Sequence, residues 1–182
     1  METPDLAAGD FEHLTLSGQL RTVQGLLAAG PAILFGSSMG GYLAAMAAEN
    51  YSEQVAKVVL LAPAFGFYNL WKTELGQEKL ETWRKNGTIS VFHYGEGREL
   101  PLSYGLMEDA AQFAPFPEIR QPGLLFHGVN DPLVPIQQSR DYAAHHKNVR
   151  LVEFQSGHEL TDVLDDMWKA ARTFVLDERS QL

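Results

Sequence analysis

Hydrophobic positions in this chain follow two rhythms, and they divide it into helices and buried strands. From Thr15 to Ala29, Leu16, Leu20, Val23, Leu26 and Leu27 recur at helical spacing, predicting an amphipathic helix that Gly30-Pro31 ends. Ala32–Phe35 is an unbroken apolar run and predicts a buried strand; the alanine-rich Met39–Asn50 predicts a helix. Lys57–Ala62 is rich in branched apolar residues with no polar alternation, as in a parallel sheet covered on both faces. Gly123–His127 and Val149–Phe154 predict two more strands, separated by a helix from Ile136 to His146 and followed by one from Thr161 to Leu176. Strands alternating with helices give an α/β fold with a mainly parallel sheet flanked by helices.

The pattern changes between residues 63 and 121. Aromatics are dense there: Phe65, Phe67, Tyr68, Trp71, Trp83, Phe92, Tyr94, Tyr104, Phe113 and Phe116. Leu75–Lys85 reads as a helix and Thr88–Tyr94 as a weakly alternating strand. So long an insertion between two sheet strands reads as a lid or cap, with residues 1–62 and 122–182 as the core. Most of these aromatics are expected to form the insertion's own small core. Phe65, Phe67 and Trp71, just beyond a strand end, are expected to line a substrate pocket.

Composition narrows the function. An apolar content of 45% with 20% charged residues is that of a globular domain. The net charge of −9 (14 basic against 23 acidic residues) with no basic cluster argues against nucleic acid or an anionic membrane as partner. Without cysteine there is no disulfide, thiolate metal site or cysteine nucleophile. The start, Met1-Glu2-Thr3-Pro4-Asp5-Leu6, reads as no signal peptide, and the apolar run Val58–Phe67 is too short to span a bilayer. A soluble cytoplasmic location is the expectation.

Candidate chemistry centres on Gly36-Ser37-Ser38-Met39-Gly40, a Gly-x-Ser-x-Gly turn between an apolar strand and a helix. That is the context of a nucleophile elbow, with Ser38 at a strained tip and Gly36 and Gly40 relieving crowding on either side. An ordinary glycine-rich turn is the alternative. A serine nucleophile needs a base and a group to orient the base. Asp131, in a polar turn closed by Pro132, and His158, preceded by Gly157, stand after the third and fourth strands. In open α/β sheets the site lies at the carboxyl ends of strands. Asp131 alone could be a turn aspartate and His158 a helix cap; their order after Ser38 favours a triad. Asp162, Asp165 and Asp166 are rival acids, less well placed because they follow the histidine on a helix. Gly157 is expected to leave room for the ring. His127 reads as a packing or hydrogen-bonding residue near Asp131, and His145-His146 as favouring a helix C-terminus. His13 and His93 suggest no partner. No ligand cluster with metal spacing occurs.

With the elbow, Asp131 and His158 in place, the chain resembles the α/β-hydrolases, and more narrowly the small bacterial serine esterases of the YqiA-like group. The likeness rests on Phe11–Leu20, Leu60–Phe67 and Phe126-His127-Gly128 through Asp131. It implies Ser38, Asp131 and His158 as catalytic residues, the Met39 N–H as an oxyanion donor, and no cofactor. Such hydrolases carry a strand ending in His-Gly before the elbow, and the loop after it supplies the second oxyanion N–H. Nothing before Ser38 matches it, so the chain reads as an α/β-hydrolase fold truncated at its N-terminus. That leaves Ala32–Phe35 as an apolar edge and predicts self-association. The expected function is hydrolysis of carboxylic or thio esters through an acyl-enzyme. The alternative is a non-catalytic hydrolase-fold protein that binds a partner or ligand.

Overall fold

The helical spacing of the N-terminal leucines is realised in α1 (Leu16–Leu27), where Leu16, Leu20 and Leu27 are buried. The computed structural model describes residues 2–93 and 95–177. Tyr94, expected to end a strand, lies outside these residues. After α1 come β1 (Ala32–Ser37), α2 (Met39–Asn50), β2 (Val55–Leu61) and α3 (Phe67–Asn86). Next are β3 (Thr88–His93), β4 (Arg98–Ser103) and α4 (Gly105–Ala110). β5 (Gly123–Gly128), α5 (Ile136–His145), β6 (Val149–Phe154), a 3-10 turn (Thr161–Val163) and α6 (Leu164–Leu176) complete the order.

The chain forms two compact units. One, residues 27–65 and 116–177, holds a four-stranded parallel sheet in the order β1-β2-β5-β6. Val58, Val59 and Leu60 of β2 and Leu124, Leu125 and Phe126 of β5 are wholly buried, as expected of central parallel strands. On one face α6 seats Met167 and Ala171 against Val59, Leu124 and Phe126. α2 packs on β1 and β2, and its small residues, Ala44, Ala45, Ala47 and Ala48, are buried. Lys57 is a charged residue inside this unit, only 2% exposed. Its ammonium donates to the carbonyls of Phe174 (2.9 Å), Val175 (3.2 Å) and Asp177 (2.7 Å). The charge thus meets the negative end of α6 and satisfies carbonyls the helix leaves open.

The other unit comprises residues 2–26 and 66–115. The N-terminal segment, expected with the sheet, groups here instead: the Ser17 N–H and hydroxyl both donate to the Asp109 carboxylate (2.9 and 2.5 Å). β3 and β4 form an antiparallel hairpin. β4 and α4 have no counterpart in the sequence expectations. α3 begins at Phe67 rather than Leu75 and is broken at Gly76, whose φ of 71° is non-helical. Trp83 is buried, donates its indole N–H to the Leu102 carbonyl (2.9 Å) and meets Trp71 and Tyr104 at 5.5 Å between ring centroids. Trp71, Trp83 and Tyr104 thus pack together within this unit.

Candidate active site

Parallel pairing puts the carboxyl ends of β1, β5 and β6 at one edge of the sheet, and Ser38, Asp131 and His158 each follow one of those ends. Ser38 has φ 52° and ψ −120°, a conformation that L-residues adopt only under constraint. The constraint is visible in its hydrogen bonds. Its N–H donates to the Leu61 carbonyl (2.8 Å), and its carbonyl accepts from Gly41 (3.0 Å), Tyr42 (3.1 Å) and Ala64 (2.9 Å). The elbow is thereby fastened to the end of β2 and to the first turn of α2. Ser38 is half-buried, and Met39 is the first residue of α2.

Gly36 is sterically obligatory, since a Cβ there would overlap the Gly40 carbonyl and lie 2.7 Å from the Gly41 nitrogen. The matching expectation for Gly40 needs correction: a Cβ at Gly40 meets nothing within 4 Å. Crowding falls one residue later. A Cβ on Gly41 would lie 3.0 Å from Pro63 Cβ and 3.1 Å from the Gly36 oxygen. The Gly40-Gly41 pair carried that signal, but the five-residue motif pointed to its first member.

Asp131 and His158 are brought together. His158 Nδ1 donates to Asp131 Oδ2 at 2.7 Å, with the Asp131 side chain fully buried and that of His158 10% exposed. The other carboxylate oxygen, Oδ1, accepts the N–H groups of Leu133 (2.8 Å) and Val134 (2.9 Å). With its Nδ1–H given to a carboxylate, His158 keeps its Nε2 lone pair for a proton. Among the described residues the Ser38 hydroxyl forms no hydrogen bond, so that of Ser38 to His158 is not made. The rival acids are engaged or exposed: Asp162 accepts the Ser156 hydroxyl, Asp166 is exposed and contacts Lys169 (3.3 Å), and Asp165 stands in the first turn of α6.

The backbone before His158 lies close against Gly128. A Cβ at Gly157 meets nothing within 4 Å, whereas one at Gly128 would overlap the carbonyls of Ser156 and Gly157. The residue after His127, at the end of β5, is what lets the histidine loop close on the aspartate loop.

His127 is also part of this cluster. Its Nδ1 lies 2.7 Å from Ser139 Oγ, and its Nε2 is 3.0 Å from the Val134 carbonyl and 3.1 Å from Asp131 Oδ2. Burial pushes its pKa below the usual histidine value, which favours the neutral ring. A carbonyl can only accept, which places the ring proton on Nε2 and makes Ser139 the donor to Nδ1. Ser139, His127 and Asp131 thus form a second Ser-His-Asp arrangement, but Ser139 is wholly buried on α5 and offers no substrate a nucleophile. Together these groups supply the Ser-His-Asp chemistry of a serine hydrolase.

Phe65 is buried and stacks on Tyr142 with ring centroids 4.2 Å apart, and Phe67 is buried against Trp71 at 5.7 Å. Phe65 and Phe67 thus each pack against another aromatic ring. His145 and His146 donate Nδ1–H to the carbonyls of Asp141 (2.7 Å) and Tyr142 (2.8 Å), favouring the C-terminus of α5 as expected. His13 and His93 have partners after all. His13 pairs with Asp10 at 3.0 Å, and His93 meets the ring of Phe11 edge-on and accepts the Glu96 N–H (3.1 Å). No group of three or more His, Asp or Glu among the described residues could hold a metal ion. None of the described helices is long and apolar enough to cross a membrane.

The model of the uncharacterised protein family UPF0227 matches residues 1–175. No curated protein matches the sequence. Among solved structures, a putative hydrolase from Agrobacterium vitis S4 superposes with a TM-score of 0.75 at 26% identity, over 88% of this chain and 68% of that one. The alpha/beta hydrolase domain-containing protein 10 from mouse gives 0.69 at 23% identity, over 87% and 69%. Est1E from Butyrivibrio proteoclasticus, with ferulic acid bound, gives 0.73 at 20% identity, over 93% and 72%. The last two likenesses are of fold. Together they show that the described residues share the α/β-hydrolase fold.

Proposed function

We propose, for a chain that belongs to the UPF0227 family, the hydrolysis of carboxylic or thio esters through an acyl-enzyme on Ser38. One observation carries the reading: the 2.7 Å bond from His158 to Asp131 stands at the same sheet edge as a serine held at positive φ. His158 Nε2 takes the Ser38 proton as Oγ attacks the acyl carbon, then gives it to the leaving alcohol or thiol. Asp131 fixes the tautomer and stabilises the imidazolium. The Met39 N–H, at the first residue of α2, stabilises the developing oxyanion. His158 next deprotonates water, which releases the acid and restores Ser38. This scheme needs no cofactor.

The partner is a small-molecule ester or thioester, and the acidic composition disfavours nucleic acid. The protein works in the cytoplasm under this reading. β1 is an edge strand among the described residues, and Phe35 on it is 47% exposed, which supports self-association through that edge. Light scattering at micromolar concentration tests this; a clean monomer counts against it.

The test of function is fluorophosphonate labelling of the folded chain, mapped by mass spectrometry. Near-stoichiometric modification confined to Ser38 and lost in His158→Ala supports the reading. Folded chain that is not labelled overturns it.

A further inference from the structure

His158 stands on the loop between β6 and α6, and that loop is held at its two ends. Ser156, on the near side, is buried and engaged at each of its polar groups. Its N–H donates to the Phe154 carbonyl (2.9 Å), its carbonyl accepts the Asn130 N–H (3.0 Å), and its hydroxyl donates to the Asp162 carboxylate. Leu160, on the far side, is buried at a φ of 53° and lies in the core with Val59, Leu124 and Phe126. Among the described residues, the N–H groups of Gly157, His158 and Glu159 make no backbone hydrogen bond. Between the anchors, the bond from His158 Nδ1 to Asp131 is what ties the loop down.

Asp162 is the far half of the near-side anchor, and its placement is not that of an ordinary helix cap. An aspartate at the start of a helix usually accepts from the free N–H groups of the first turn. Here Leu160 and Val163, at the cap positions of the 3-10 turn and of α6, make no side-chain cap. The Asp162 carboxylate instead reaches back across the loop to Ser156. The next carboxylate on α6 that has a partner, Asp166, contacts Lys169 (3.3 Å) on its own helix. Among the described residues, Asp162 is thus the acceptor that closes the chain from Ser156 onward around His158.

We infer that Asp162 is a positioning residue, whose bond to Ser156 closes the loop carrying His158 and keeps the imidazole on Asp131. This deepens the serine-hydrolase reading and, for its effect on reactivity, rests on it. A short loop closed by a side-chain bond has fewer conformations open to it than one tied through the backbone alone. Without the bond, His158 spends part of its time away from Asp131. A base that is in place for a fraction of the time takes the Ser38 proton in proportion to that fraction. Reversible binding of a reagent beforehand does not need the base, so the loss falls on the chemical step.

The experiment measures fluorophosphonate labelling at Ser38 over a range of reagent concentrations, which separates the maximal rate from the half-saturating concentration. In parallel, NMR records the carbon-bound ring protons of His158, assigned by their loss in His158→Ala. Asp162→Ala is expected to lower the maximal rate by about tenfold, to leave the half-saturating concentration unchanged, and to broaden or split the His158 signals. Asp162→Asn keeps an oxygen acceptor for the Ser156 hydroxyl and returns the rate to within about twofold of the natural chain. Ser156→Ala breaks the same bond from the other end, so the double variant is no slower than either single one. A folded Asp162→Ala with the natural rate and the natural His158 signals overturns the inference. So does an Asp162→Asn as slow as Asp162→Ala, or a double variant whose losses add. If Asp162→Ala does not fold, Ser156→Ala set against Ser156→Thr, which keeps the hydroxyl, decides in the same terms. If the natural chain is not labelled, the hydrolase reading fails, and the His158 signals alone still decide whether Asp162 holds that ring in place.

Discussion

A methyl group on Gly128 would overlap the carbonyl oxygen of Ser156. The loop carrying Asp131 and the loop carrying His158 can therefore lie together only while residue 128 lacks a side chain. The backbone bonds Val129 N–H to Phe154 (2.8 Å) and Asn130 N–H to Ser156 (3.0 Å) extend the β5–β6 pairing through this point, so the clash has little room to relax. Gly128→Ala is expected to destabilise the fold by about 1–3 kcal/mol, the usual range for overpacking. It should also slow labelling of Ser38 by separating Asp131 from His158. Gly157→Ala, where a Cβ meets nothing within 4 Å, is the control and should leave both unchanged. Urea unfolding of the two variants, with labelling rates, checks the pair.

Ser38 sits at φ 52° and ψ −120°, and the backbone there is strained for any residue with a Cβ. Ser38→Gly relieves about 1–3 kcal/mol of strain. It also makes the unfolded chain more flexible, which offsets roughly 0.5–1 kcal/mol of that gain. A net increase in stability of about 1 kcal/mol is expected, together with complete loss of labelling. A variant that is inactive and less stable than the natural chain would show that the elbow holds no such strain.

The sheet and the elbow were legible because both follow local rules. A continuous apolar run at Val58–Leu61 means a central parallel strand, and a glycine two residues before the elbow serine is forced by close backbone approach at Gly36. What the sequence obscured was settled by neighbours distant along the chain. β4 carries Arg98, Glu99 and Pro101, a poor strand signal, and becomes a strand by pairing with β3. The break at Gly76 interrupts the helical period of α3, so only its second part was visible. The packing of Phe65 on Tyr142, far along the chain, cannot be seen in the sequence either. The same holds for Gly128, whose need for a bare Cα comes from Ser156 on another loop.

Lys57 joins β2 to the end of α6 through three carbonyls, those of Phe174, Val175 and Asp177. Lys57→Met keeps much of the side-chain volume but leaves these acceptors at a helix C-terminus without their donor. The expected cost is about 1–3 kcal/mol, the scale for stranded hydrogen-bonding groups. Removing the desolvation of a buried ammonium opposes it. Faster amide exchange confined to the last turn of α6, with a lowered thermal midpoint, would locate the effect. An unchanged midpoint would mean that water replaces the ammonium without loss.

Stability should fall on mild acidification, and His127 gives the sign. Burial holds its folded pKa below the model-peptide value of 6.5. Above about pH 6.5 the ring is neutral in both folded and unfolded states and contributes no pH dependence. Below it, the unfolded chain takes up a proton that the folded chain resists, so the unfolded state gains. The slope from this one group reaches at most about 1.4 kcal/mol per pH unit and ends as pH falls through the folded pKa. His13 runs the other way: its bond to Asp10 raises its pKa, which favours the fold below about pH 6.5, but the pair is solvent-exposed and its contribution is screened. Urea midpoints measured from pH 7.5 to pH 5 should therefore decline. His127→Gln, which has no proton to gain, should flatten that decline. A parallel fall in the variant would assign the acid sensitivity to other groups and place the His127 ring in surroundings that tolerate its charge.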